Sequence, residues 1–303
     1  MIDALRTPDE RFTNLPGWGY APHYIDDLSG YDGLRMHFVD EGPRDPGATF
    51  VCLHGEPTWS YLYRKMIPVL VAAGHRVIAP DLFGFGRSDK PVEDTTYTFA
   101  FHRDALKRFL ERCDLEEVCL VVQDWGGLLG LTLPMDYPDR ITRLLIMNTG
   151  LGTGKSAGPG FDAWRAYNAA NPDLDVAALM RRSTPILSEA EALAYAAPFP
   201  DVRYKAAVRR FPELVQTRPD MPGVETGLDA AAFLSNDWRG DSFMAIGMQD
   251  PVLGEPIMRA LHRRIRNCPE PMLVQEAGHF LQEWGEPVAL AALDYFGLAT
   301  RPA

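Results

Sequence analysis

Val121-Val122-Gln123-Asp124-Trp125-Gly126-Gly127 is the stretch on which the fold reading turns. An apolar run ends, one acidic residue follows, and two glycines let a helix start very close to the strand before it. Such a turn holds a reactive side chain up at the edge of a sheet. Here the side chain is a carboxylate where serine is usual, so a serine esterase is not expected. A carboxylate suits the place. It is ionised at neutral pH, a helix N-terminus favours its charge, and it needs no base to become a nucleophile. On the turn alone, Asp124 reads equally as a helix N-cap.

Outward from this turn, short apolar runs predict buried strands at Thr49–Leu53, Arg76–Pro80, 117–122, 141–148, 242–248 and 272–275. Helical spacing falls between them at 61–72, Phe99–Arg112, 128–137, 256–266 and 287–296. Alternating strands and helices imply a mostly parallel sheet covered on both faces. Residues 34–40 read as an antiparallel edge strand. From 149 to 228 no strand is convincing, and 190–197 and 202–211 look helical. The expected organisation is a core of residues 1–148 and 229–303 with an inserted helical cap at 149–228.

Ligands of open parallel sheets bind beyond the carboxyl ends of the strands. Those ends carry Asp124, Asp250 and His279, in the order nucleophile, acid, histidine that α/β-hydrolases follow. Neutral His279 can activate water, with Asp250 fixing its tautomer. The backbone N–H groups of Glu56 and Trp125 are the natural oxyanion donors. His54 with Gly55 shapes the turn beside them. The other histidines lack such placement and read as structural. An indole is donor-only on an apolar body, so Trp125 suits an anion leaving from a dry pocket. Trp164 lies in the insertion and reads either as packing or as a second donor; Trp59 and Trp238 read as packing. Gly150-Leu151-Gly152-Thr153-Gly154-Lys155-Ser156 imitates a phosphate-binding loop, but Thr149 stands where its first glycine belongs.

Composition narrows the class. The chain has 303 residues, 46% hydrophobic, and a net charge of −11. That acidity argues against nucleic acid, which selects basic surfaces, and against anionic membranes. No run is long enough to span a bilayer. The four cysteines form no CxxC pair, so free thiols in a cytoplasmic protein are expected.

His54-Gly55-Glu56-Pro57-Thr58-Trp59-Ser60-Tyr61 together with Gln123-Asp124-Trp125-Gly126-Gly127 resembles the haloalkane dehalogenases. The likeness is to the subgroup with Glu after His-Gly and its second halide donor in the cap. Asp81-Leu82-Phe83-Gly84 and Gly278-His279-Phe280 extend it over nearly the whole chain, most weakly through the cap. The resemblance implies that Asp124 displaces halide from an alkyl carbon to form an ester. His279, supported by Asp250, would then activate the water that cleaves it. Trp125 and Trp164 would hold the halide. A small apolar halogenated substrate implies an apolar lining, expected from Phe161, Phe211, Pro212, Val215, Val252 and Leu253. No metal or organic cofactor and a monomer are expected. The nearest rival is an epoxide hydrolase, which would need cap tyrosines; Tyr167, Tyr195 and Tyr204 are available. A non-catalytic hydrolase-fold binding protein is the rival of a different class.

Overall fold

The computed structural model describes residues 2–299. Its strands are β1 (Ala4–Leu5), β2 (His23–Ile25), β3 (Met36–Glu41), β4 (Thr49–Leu53), β5 (Arg76–Pro80), β6 (Lys90–Pro91), β7 (Val118–Val122), β8 (Ile141–Met147), β9 (Asp241–Gly247) and β10 (Met272–Val274). Eight form one sheet in the order β10-β9-β8-β7-β4-β5-β3-β2. The pairs from β10 through β5 are parallel, whereas β3 pairs antiparallel with both β5 and β2. β1 and β6 form a separate two-residue ribbon. Residues 34–40 therefore supply an antiparallel strand but not the edge, which is β2. At three residues, β2 is too short to carry a periodic signal.

All five residues of β4 and all five of β7 are buried. That is what a parallel sheet covered on both faces demands, and it explains the continuous apolar runs Thr49-Phe50-Val51-Cys52-Leu53 and Val118-Cys119-Leu120-Val121-Val122. Each such Val or Leu side chain contributes about 1.5–3 kcal/mol by burial. The chain goes from β4 to β5 on one side, then returns through β7 on the other, so the strand order reverses at β4. Crevices open at such reversals.

Helices α1 (Ile67–Ala72), α2 (Phe99–Arg112), α3 (Trp125–Gly130), α9 (Glu255–His262) and α10 (Gly285–Tyr295) belong to the sheet. The expected helix at 61–72 is broken. Residues Ser60–Tyr63 form a 3₁₀ turn, and Pro68 then sits in the first turn of α1, where its missing N–H costs nothing. α3 starts directly after Asp124 and ends at Gly130, so most of the helix expected over 128–137 is turns instead.

Between β8 and β9 lie five helices and no strand: α4 (Pro159–Ala170), α5 (Val176–Ser183), α6 (Glu189–Ala196), α7 (Ala206–Leu214) and α8 (Val224–Asn236). α4, α5 and α8 carry no counterpart in the sequence reading. α8 runs unbroken through the expected 228/229 boundary, so the insertion and the core share that helix. Ser188 and Glu191 close a capping box that starts α6. The four cysteines are free thiols. No helix among the described residues is long and apolar enough to cross a membrane.

Candidate active site

Asp124 sits between β7 and α3 with φ 50° and ψ −126°. A non-glycine residue there is strained, typically by about 1–3 kcal/mol, and persists only where its surroundings over-determine it. They do so here. The Asp124 N–H donates to the Asn148 carbonyl at 3.0 Å, and the Asp124 carbonyl accepts from Thr149 Oγ1 at 2.7 Å and from the Gly127 and Leu128 amides at 3.0 Å. The adjacent glycines are steric requirements. A Cβ on Gly126 would lie 1.9 Å from the Leu53 carbonyl oxygen, and one on Gly127 would lie 2.0 Å from Thr149 Oγ1. Gly55 is as tight, since its Cβ would meet Asp124 Oδ1 at 2.2 Å.

Four strand ends converge. The Glu56 amide, after β4, donates to Asp124 Oδ1 at 2.9 Å. His279, after β10, stands with Nε2 3.4 Å from Asp124 Oδ2 and Nδ1 2.8 Å from Asp250 Oδ2. Asp250, after β9, accepts from the Val252 and Leu253 amides at 2.8 and 3.1 Å and from Asn148 Nδ2 at 3.0 Å. Asn148 had no role assigned from the sequence, although it stands at the end of β8. Its Oδ1 accepts from the Gly247 amide at 2.7 Å, so its side chain ties β8, β9 and the Asp250 carboxylate together. His54 is wholly buried, hydrogen-bonding the Gly55 carbonyl through Nδ1 and the Leu82 amide through Nε2.

Charge follows from this geometry. Burial alone would lower the pKa of His279, but the charges of Asp250 and Asp124, with their hydrogen bonds, overcome it and raise it to about 10. Burial pushes the Asp250 carboxyl up, and the His279 charge with the two backbone donors more than reverses it, leaving it lowered. Glu56 goes the other way: burial and then the neighbouring Asp124 charge hold its side chain well above the usual carboxylate range. Its Oε1 is buried without a partner.

These groups open onto a cavity of about 930 Å³, at the upper end for small-molecule sites. Phe161, Pro212, Val215, Val252 and Leu253 are on its wall, with Trp125 and Trp164. Phe211 is not. It is fully buried behind Trp125, ring centroids 4.6 Å apart, and props that indole instead of lining the cavity. Leu128, Leu179, Ile257 and Trp284 also line it and were not singled out by sequence. Their signal as apolar helix residues is that of any packing position. Two of the six tryptophans have a hydrogen-bonded indole, and of the other four Trp125, Trp164 and Trp284 line the cavity. Trp59 Nε1 donates to the Ala194 carbonyl and Trp238 Nε1 to Ser242 Oγ. Trp125 and Trp164 have no such partner among the described residues.

The rival features fare differently. Tyr195 is buried and bonded to Glu283 and Arg64, and neither it nor Tyr204 lines the cavity; only Tyr167 does. Gly154-Lys155-Ser156-Ala157-Gly158 spells a serine-hydrolase pentapeptide, but it lies on the loop before α4, and Ser156 Oγ accepts from the Gly158 amide with no histidine beside it. Among the described residues no group of three His, Cys, Asp or Glu is arranged to hold a metal.

Residues 48–286 match the family model described as the alpha/beta hydrolase fold. A haloalkane dehalogenase from Psychrobacter cryohalolentis is 45% identical over 292 residues, covering 94% of this chain and 95% of that protein. The chain belongs to the haloalkane dehalogenase family. Haloalkane dehalogenases are hydrolases acting on carbon–halide bonds. Haloalkane dehalogenase 1 of Mycobacterium tuberculosis is likewise 45% identical, over 285 residues covering 93% of this chain and 94% of that one. Among solved structures, the tetrameric haloalkane dehalogenase DpaA from Paraglaciecola agarilytica NO2 superposes with a TM-score of 0.96 at 54% identity, covering 97% of this chain and 99% of that chain. That relative is a tetramer, which does not fit the expectation of a monomer. Nothing in these similarities favours an epoxide hydrolase.

Proposed function

We propose that this haloalkane dehalogenase works through an Asp124 alkyl ester. The observation that carries the reading is the array in which one carboxylate, Asp124, meets the Glu56 amide at 2.9 Å and His279 Nε2 at 3.4 Å, with Asp250 behind the imidazole at 2.8 Å. Asp124 Oδ attacks the halogen-bearing carbon, the carbon–halogen bond breaks, and the halide leaves into the unpartnered indole N–H groups of Trp125 and Trp164. A leaving halide needs no proton, only hydrogen bonds where charge develops. Residues 149–228 act as the cap that supplies Trp164 and Phe161 and keeps water from the first step.

His279 is held protonated in the resting site by two carboxylates. Ester formation removes one of those charges and its hydrogen bond, so the imidazole pKa falls when a base is needed. The imidazolium gives up its proton to solvent, and the neutral ring then takes a proton from water as the resulting hydroxide attacks the ester carbonyl, whose oxyanion is met by the Glu56 and Trp125 amides. Alcohol, halide and a proton leave. Each group is supplied by the chain, and the substrate is a small apolar haloalkane.

Halide and diol release from 1,2-dibromoethane and styrene oxide tests the activity; diol without halide would overturn it. The covalent step is tested with His279→Gln, which should release one equivalent of bromide and then stop. The peptide bearing Asp124 should carry the added alkyl mass, and an unmodified peptide despite bromide release would refute the ester.

A further inference from the structure

Three cations on the cavity wall take no part in this chemistry. Lys155, Arg182 and Arg264 line the same cavity as Asp124 and His279, and all three are exposed. Six other cations of residues 149–228 are tied to carboxylates, Arg165 to Asp162, Arg203 to Asp201, Lys205 to Asp173, Arg209 to Asp94, Arg210 to Glu213 and Arg218 to Asp220, and exposed Arg181, which is not, lies off the cavity wall. These three pair with no carboxylate among the described residues. Glu276 is the one exposed acid on the wall. In a chain of net charge −11, this rim is a local reversal of sign, which concentrates anions where the bulk surface repels them.

The cations are delivered by packed backbone. The glycine-rich run that imitates a phosphate loop seats Gly152 under the Gln216 side chain, where a Cβ would lie 2.1 Å from Oε1, and Gly154 against the Pro219 backbone, at 2.9 Å. Lys155 and Ser156 are left exposed at its end. Arg182 lies over the Tyr167 ring at 4.9 Å, and that ring is 6.2 Å from Trp164. The next residue, Ser183, packs its carbonyl against Gly278, beside His279. Arg264 follows α9, whose Ile257 and Leu261 are also on the wall.

The cavity wall therefore combines indoles without a hydrogen-bond partner, apolar side chains and three exposed cations that pair with no carboxylate among the described residues. We infer that its preferred substrates are ω-halogenated carboxylates with a methylene chain, the carbon–halogen bond at Asp124 and the carboxylate at the Lys155, Arg182 and Arg264 rim. This rests on the ester reading above. The carbon–halogen bond breaks, water supplies the new C–O bond, and ω-hydroxycarboxylate, halide and a proton result. Short 2-halo acids are excluded, because their carboxylate would lie against Asp124.

The test compares kcat/KM for 6-bromohexanoate with that for its methyl ester, within each protein, at low and high potassium sulfate. In the unsubstituted enzyme at low salt the acid should exceed the ester by about fivefold, the worth of about one exposed ion pair. That ratio should fall towards one in Lys155→Gln/Arg182→Gln/Arg264→Gln and at high sulfate, as screening requires. An acid no better than its ester, or an advantage that survives the triple substitution, overturns the inference. If bromide is released from 1-bromohexane in the same assay, the ester reading stands apart from that failure. Release from none of these substrates sinks both.

Discussion

The two walls of the cavity are held in different ways. On the core side, Asp124, Asp250, His279 and Glu56 stand at the ends of buried strands and are fixed largely by backbone donors and acceptors. On the inserted side, Trp164 and Phe161 ride on α4, and the insertion meets the core through side-chain bonds and aromatic packing, Phe211 against Phe85 and Trp125 among them. Arg64 bonds Glu283 in the core at 2.6 and 2.8 Å and Glu191 on α6 at 2.8 Å; Tyr195 on α6 bonds the same Glu283. Trp59 donates to the Ala194 carbonyl at 3.2 Å. The difference teaches that the strand-end groups and the inserted wall are held by different kinds of bond, and that the two meet where Gly160 of α4 rests on the Pro251 carbonyl.

The sharpest break of the comparison is Asp124→Gly. Glycine accepts φ 50° without strain, so the core turn should hold. Thermal unfolding should be unchanged or shifted upward, while halide release falls by more than about a thousandfold, as expected for loss of a nucleophile. A variant that unfolds early would mean that the carboxylate itself secures the turn.

The insertion's support should break differently. Arg64→Met leaves the buried Glu283 carboxylate with only Lys65, at 2.9 Å, and the Tyr195 hydroxyl. Breaking a buried pair from one side costs about 3 kcal/mol or more, to be read from urea unfolding. Adding Glu283→Gln should recover part of it. No recovery would show that Arg64 acts through packing on Tyr61, whose ring it covers at 4.2 Å.

The same division explains what could be read in the sequence. β4, β5 and α2 match their expected bounds because burial on both faces, or an apolar stripe with the Thr98 N-cap, writes a strong local pattern. The meeting of Asp124, Asp250 and His279 was legible because each follows a strand, and α/β sheets bring those ends together. The insertion was not. Pro159-Gly160 begins α4 after a glycine-rich run, a composition that reads as loop, and the helix exists because tertiary contacts hold it. Phe211 was misplaced for a related reason: a sequence reports that a side chain is apolar, not whether it faces the ligand or the residue behind it.

A finer contrast sets one proposed halide donor against the other. Trp125 is 2% exposed and propped by Phe211, whereas Trp164 is half-buried against Tyr167. A hydrogen bond to a charged partner is worth about 1.5–3 kcal/mol, more when its donor is pre-organised. Trp125→Phe should weaken bromide binding by about a hundredfold and Trp164→Phe by about tenfold, measured by calorimetry. Equal losses would mean that α4 is as rigid as the strand ends. No loss at Trp164 would remove the insertion from the halide site.

The smallest expected effect concerns the seat of α4. Gly160 lies in its first turn, and a Cβ there would meet the Pro251 carbonyl oxygen at 2.2 Å. Pro251 begins the turn whose Val252 and Leu253 amides hold Asp250, so α4 stands directly on the support of the triad acid. Alanine for glycine inside a helix ordinarily stabilises by about 1 kcal/mol. At residue 160 the backbone collision should cancel that gain, and relief should come by lifting α4. Trp164 is four residues on, on the same helix face, and moves with it. Gly160→Ala should therefore raise KM for a bromoalkane about threefold with no rise in melting temperature. Ala166→Gly, an exposed change on the same helix, should lower the melting temperature and leave KM alone. If Gly160→Ala stabilises the protein and KM does not move, α4 is free to yield, and the insertion does not take its position from the acid's turn.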